Sequence, residues 1–201
     1  LSFINPNMVK TVDFSSGGFT AEYGDKMSSV LDVGYKKPTR SFEGAVTGSF
    51  LGGDLYLGSS SKRFSQVTGI RYKTTRSFLA TTNTKAEYKP GFVDAQTYMA
   101  YNLSSDWELS FLGNYSHNTY QFTPATRDTK FGTISNVRNF KAYFDGWEKD
   151  KFITHQAALS LKGKVSNAVE LFLSVSAFGS NEYERYDIGS TYVLKEMSGS
   201  L

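Results

Sequence analysis

From residue 41 onward, apolar and polar side chains alternate through one short run after another, and this period of two most constrains the fold. In 42–50, Phe42, Gly44, Val46, Gly48 and Phe50 face one way, and Glu43, Ala45, Thr47 and Ser49 the other. Leu51 to Asp54 then turns the chain into 55–60. The run 66–79 sets Arg71 and Lys73 opposite Ile70 and Tyr72, and 92–103 sets Val93, Ala95, Met99, Tyr101 and Leu103 against Asp94, Gln96, Tyr98 and Asn102. After a turn at 104–106, the run 107–122 places Trp107, Leu109, Phe111, Gly113 and Tyr115 opposite Glu108, Ser110, Asn114 and Ser116. Two more runs follow, 152–165 and 168–180, with Ser166-Asn167 between them. Leu159, Leu161, Val165, Val169, Leu171, Leu173 and Val175 share their apolar side; Ser160, Lys162, Lys164, Glu170, Ser174 and Ser176 share the polar side. A helical face repeats at 3.6 residues, so the pattern predicts an all-β, antiparallel meander.

The spacing of these runs carries a second expectation. Connections are short at 104–106 and 166–167 and long at 80–91 and 123–151, with both long ones on the same side of the sheet. Short turns on one side and long loops on the other form the rhythm of an outer-membrane barrel, whose tilted strands need about 9–11 residues to span. Runs 107–122 and 168–180 exceed that length and are expected to project beyond the bilayer. Trp107, Tyr101 and Leu103 flank a short turn, where an aromatic girdle belongs. Alternation by itself also fits a water-soluble antiparallel sheet.

Composition narrows the field further. No uncharged run reaches the about 18 residues of a membrane helix, which excludes a helical membrane protein. The absence of cysteine removes disulfides, thiolate metal sites and thiol chemistry. A net charge of only +3, with no Lys/Arg block longer than a pair, gives no footprint for nucleic acid. No charged n-region or cleavage site of a signal peptide opens the chain, so the sequence is expected to be a mature piece or an internal fragment of an exported protein.

Residues 1–38 differ in character. Asn5 followed by Pro6 predicts a cap and first helical position, hence a short helical turn through Met8. Val9 to Phe14 then alternates. A turn is expected at Gly17-Gly18 and a kink at Tyr23-Gly24. The run 28–36 follows, with Ser28, Val30, Asp32 and Gly34 on one side and Ser29, Leu31, Val33 and Tyr35 on the other. Pro38, lacking a donor, stops that strand.

The stretch Gly17-Gly18-Phe19-Thr20-Ala21-Glu22-Tyr23-Gly24-Asp25, followed by Ser28-Ser29-Val30-Leu31-Asp32-Val33, resembles the end of the plug domain of TonB-dependent outer-membrane receptors, particularly those of the Bacteroidetes. The resemblance implies an antiparallel transmembrane β-barrel fragment of about seven strands, preceded by the C-terminal part of a plug domain. Residues 1–38 would be plug and 39–201 the first barrel strands. Receptors of this family have a plug inside a barrel of about 22 strands and import scarce substrates with force delivered by TonB. The implied protein therefore sits in the outer membrane of a Gram-negative bacterium. Its partners are the TonB complex, reached through an upstream segment, outer-membrane lipid, and a small extracellular siderophore, vitamin, peptide or glycan. It is not an enzyme and carries no cofactor. The alternative is a non-transporting surface protein, a small barrel or adhesin binding a partner through its long loops; a soluble lipid-binding barrel is a third reading.

Individual residues fit these expectations. Glu22 and Asp25 have the spacing of a carboxylate pair, yet in a kinked plug segment they suit structural locking better than acid–base work. Gly17, Gly18 and Gly24 are expected to supply positive φ or close backbone approach, and Tyr23 belongs to the same structural motif. The two histidines, His117 and His155, lie on separate runs, and no metal site is expected. Nor does Ser116-His117 sit in a nucleophile elbow. Within the 123–151 loop, aromatics mix with both charge signs, and Tyr143, Phe144 and Trp147 are the candidate substrate-binding residues. A merely solvated loop explains the same composition. Arg71, Lys73, Glu108 and Glu170 are expected to line the plug interface.

Overall fold

The computed structural model describes residues 4–21, 23–24, 28–74, 87–133 and 136–197. Asn5 caps the 3-10 turn Pro6–Met8, its side chain accepting from the Asn7 amide at 2.9 Å. Strand β1 (Val9–Ser15) follows and pairs antiparallel with β2 (Val30–Tyr35), which ends before Pro38 as its missing donor requires.

The remaining strands form one antiparallel sheet. They are β3 (Glu43–Ser49), β4 (Gly52–Ser60), β5 (Phe64–Thr74), β6 (Glu87–Tyr88), β7 (Gly91–Asn102), β8 (Trp107–Thr123), β9 (Arg127–Thr133), β10 (Asn136–Ser166) and β11 (Val169–Met197). Their path is β3-β4-β5-β7-β8-β10-β11, a meander of next neighbours, with β6 added beside β8 and β9 beside β10. The all-β antiparallel architecture expected from the alternation is present, and so are the predicted faces. Register rows run straight across the sheet: Asp54, Arg71, Asp94, Ser116 and Thr154 stand side by side. On the opposite face, Leu55, Ile70, Ala95, Tyr115 and His155 do the same.

The segment 123–151 departs from expectation. It is not a loop: β9 and the outer half of β10 occupy most of it, paired with each other from Asn136/Thr133 to Ala142/Arg127. β11 continues well past residue 180, pairing with β10 as far as Val137/Met197. The expected turn at 51–54 is also tighter, since β4 already begins at Gly52. Most of the expected 80–91 loop lies outside the described residues.

The N-terminal segment rests on one face of the sheet and supplies its core. Met8 is fully buried against Tyr56 and Val67, with Tyr35 and Tyr98 packed around them. Burial of that thioether side chain contributes about 1.5–3 kcal/mol. Gly69 makes the approach possible: a Cβ there would sit 2.2 Å from the Asn5 amide nitrogen and 2.9 Å from the Met8 sulfur.

Candidate functional site

Beneath residues 4–8, the covered face of the sheet carries buried polar side chains beside the Met8–Tyr56–Val67 cluster. Arg71 and Asp94 are directly opposed across β5 and β7, at 5% and 2% exposure. Arg71 Nη2 donates to Asp94 Oδ2 at 2.6 Å and Nε to Oδ1 at 3.0 Å, a bidentate pairing. Nη1 donates to the Ile4 carbonyl at 3.1 Å, so the same guanidinium holds the N-terminal segment. Two positions along β7, Gln96 accepts from the Asn5 backbone at 3.1 Å and donates to the Tyr35 hydroxyl at 3.1 Å. Asp54 accepts from the side-chain amides of both Asn5 and Asn7.

Lower on the sheet, Tyr35 stacks on Tyr98 with ring centroids 5.1 Å apart. Lys36 reaches back to the Asn7 carbonyl at 2.8 Å, and Lys37 pairs with Glu108, donating to Oε1 at 2.7 Å. Of the four residues expected to line this interface, Arg71 and Glu108 touch the N-terminal segment. Glu170 pairs instead with Lys162, and Lys73 is exposed. Asn5 was singled out from sequence only as a helix cap, and Asn7, Asp54 and Gln96 not as interface residues, because only the register of β4, β5 and β7 gathers them. Asn114, in register between Gln96 and Gln156, is buried with neither amide atom bonded.

The opposite face is uncovered and apolar. Val46 is 82% exposed and Val175 73%, and Ile70, Met99, Tyr101, Phe111, Tyr115, Leu159 and Leu173 lie open on the same side.

The motif residues separate by role. Gly18 alone of the three motif glycines has positive φ (64°). A Cβ on Gly17 or Gly24 would meet open space, so the expectation of strain or close approach fails at those two positions. Tyr23 donates to Asp32 Oδ2 at 3.0 Å and its amide bonds the Thr20 carbonyl, closing the kink. Glu22 and Asp25 lie outside the described residues.

Tyr143, Phe144 and Trp147 lie on β10, opposite Thr191, Ser190 and Asp187. Successive strand residues point to opposite faces, so Tyr143 and Phe144 do not share a patch. Tyr143 and Trp147 each carry a cation over the ring: Lys141 and Lys149, each at 5.0 Å. Near Trp147, the carboxylates of Glu148, Asp150 and Glu184 lie within 4.8 Å of one another. Desolvation, then repulsion from Asp150 and Glu184, pushes the Glu148 carboxyl above its ordinary value. No protein-family model, curated protein or solved structure matches the chain.

Proposed function

We propose that this chain builds a plugged outer-membrane β-barrel of the TonB-dependent receptor type, importing a scarce small substrate. The observation that carries the reading is the inversion of polarity. A charged, hydrogen-bonded face is covered by the N-terminal segment while the aliphatic and aromatic face is left open. In water that arrangement is costly; in a bilayer, lipid covers the apolar face and the polar face lines a plugged lumen.

Other features agree. β4, β5 and β7 have the length of tilted spans. Trp107 and Tyr101 mark one end of the apolar band, Tyr72, Tyr115 and Tyr183 the other. Within β10 the span is 152–165, and the ribbon from Glu148 outward stands in the extracellular space. Residues 4–38 are the end of the plug, fixed to the lumenal wall by Arg71, Gln96 and Glu108. Tyr143 and Trp147, which share one face of the outer ribbon, contact substrate, with Phe144 on the other face. TonB engages upstream of these residues.

The chain has no cysteine, which makes the topology directly testable. Single cysteines at Ala157, Ala158, Leu159 and Ser160 are labelled with a water-soluble thiol reagent in intact outer membranes. Labelling at 158 and 160 only, with substrate uptake that stops when the inner-membrane proton gradient is dissipated, supports the importer. Equal labelling at all four overturns the barrel. Alternating labelling without energy-dependent uptake favours the non-transporting surface protein.

A further inference from the structure

The open face holds two depressions, one above the other. The upper, of about 860 Å³, is lined by Lys149, Lys151, Arg185, Tyr183, His117 and Thr119. Register places Lys149 beside Arg185 and Lys151 beside Thr119 and Tyr183. Lys151 Nζ stands 5.6 Å from the Tyr183 ring centroid and Lys149 Nζ 5.0 Å from that of Trp147, so aromatic rings hold both ammonium groups in place. Among the described residues, none of Lys149, Lys151 and Arg185 forms an ion pair. Asp150 also lines this depression, but its carboxylate is gathered with those of Glu148 and Glu184, as its place between the two lysines requires. His117 adds a ring nitrogen, Nε2, that is buried and unbonded.

The lower depression, of about 730 Å³, begins one row beneath. Its floor is low because Ala95, Ala157, Ala177 and Gly179 have little or no side chain, while Phe111, whose ring lies over Gly113, and Tyr115 rise at its sides. Along β10 the open face reads Lys149, Lys151, Ile153, His155, Ala157: two cations, then two aliphatic side chains with an imidazole between them. Lys151 and Ala157 are six residues apart, roughly 20 Å at about 3.3 Å per residue, the scale of an acyl chain.

We propose that this face binds a lipid of the outer leaflet whose phosphate headgroup is net anionic. Lys149, Lys151 and Arg185 hold the headgroup, and an acyl chain lies in the groove over Ala157 and Gly179. Three uncompensated cations at the membrane interface complement a phosphate and give a neutral headgroup nothing to gain. The groove beneath selects a lipid over free phosphate. The proposal rests on the membrane-barrel reading.

The test uses the full-length protein in nanodiscs of phosphatidylcholine containing a minor fraction of phosphatidylglycerol. Lipid retained on the protein is read by native mass spectrometry. Wild type is expected to retain phosphatidylglycerol over phosphatidylcholine, and K149Q/K151Q/R185Q to lose that preference by about tenfold or more. The control K62Q/R63Q, at the opposite end of the sheet, keeps it. Equal preference in wild type and triple variant overturns the site, as does displacement of the lipid by inorganic phosphate alone at equal concentration. G179F, whose side chain enters open space in the groove without touching the cations, is expected to weaken retention as well; unchanged retention overturns the acyl-chain half. Failure of the protein to enter nanodiscs while staying soluble without lipid overturns the barrel reading itself, and the site with it.

Discussion

Arg71 and Asp94 form a buried bidentate ion pair across β5 and β7, and the same guanidinium binds the Ile4 carbonyl. One side chain thus joins two strands of the sheet to a segment some sixty-seven positions earlier in the chain. Asp94→Ala strands the arginine charge in a site with almost no solvent, which is expected to cost about 3–5 kcal/mol. Replacing both by Leu and Met recovers most of that loss. Urea unfolding in detergent checks both; a single variant as stable as wild type would show that water reaches the pair.

Gln96 contributes differently, since it bridges rather than carries charge. Gln96→Leu removes bonds to Asn5 and Tyr35 and leaves a buried backbone donor unsatisfied, an expected loss of about 1–3 kcal/mol. Gly69→Val acts on the same contact by steric force, driving Asn5 and Met8 off the sheet. Both substitutions are expected to expose residues 4–15 to limited proteolysis while the β7–β8 ladder keeps its protection in hydrogen exchange.

The motif glycines give a graded comparison. Gly18→Ala forces a Cβ into left-handed backbone and is expected to destabilise by about 1–2 kcal/mol. Gly17→Ala and Gly24→Ala meet open space and are expected to change stability by less than about 0.5 kcal/mol. Equal effects at all three positions would contradict the backbone geometry.

Glu148 supplies a pH dependence on the outer ribbon. Its carboxyl sits above the ordinary value through desolvation and the neighbouring Asp150 and Glu184. A carboxyl raised in the folded state favours folding while protonated, so its contribution is fully present below the unfolded value of 4.5 and is lost as pH rises through the folded value. Glu148→Gln is therefore expected to stabilise the outer ribbon at neutral pH, with the advantage vanishing in acid. Thermal melts of both proteins at pH 4 and pH 7 read the difference; an advantage that grows in acid would refute the assignment.

Much of this fold was legible because strands whose two faces meet different surroundings alternate. Val93 to Asn102 and Trp107 to Tyr115 follow a two-residue period, interrupted at Thr97, Ala100 and Leu112, since one face meets the N-terminal segment and the other does not. The cap at Asn5 and the stop at Pro38 were readable from local chemistry alone. β9, the outer half of β10 and the end of β11 were not. Between Arg138 and Lys151, charges and aromatics fall on both faces, because neither face is confined to one environment. What keeps that stretch extended is the ladder to β11, a pairing between residues up to sixty apart in the chain that no local pattern announces. The same holds for the Asn5–Gln96 and Asn7–Asp54 contacts, which exist only once β4, β5 and β7 lie in register.

The β10–β11 ladder holds one register from Val137/Met197 to Lys164/Glu170 and slips only at Lys164/Ser166. Such a ladder restricts how the gene can change length. One codon added within 152–165 swaps the two faces of every residue beyond it, putting lysine where leucine stood. Above Glu148, where pairing with β8 stops at Phe122, that rule relaxes to keeping the two strands matched. Length variation is thereby channelled to the outer ribbon and admitted there in paired steps, one added to each strand, so its reach can drift while the strands paired with β8 beneath stay fixed.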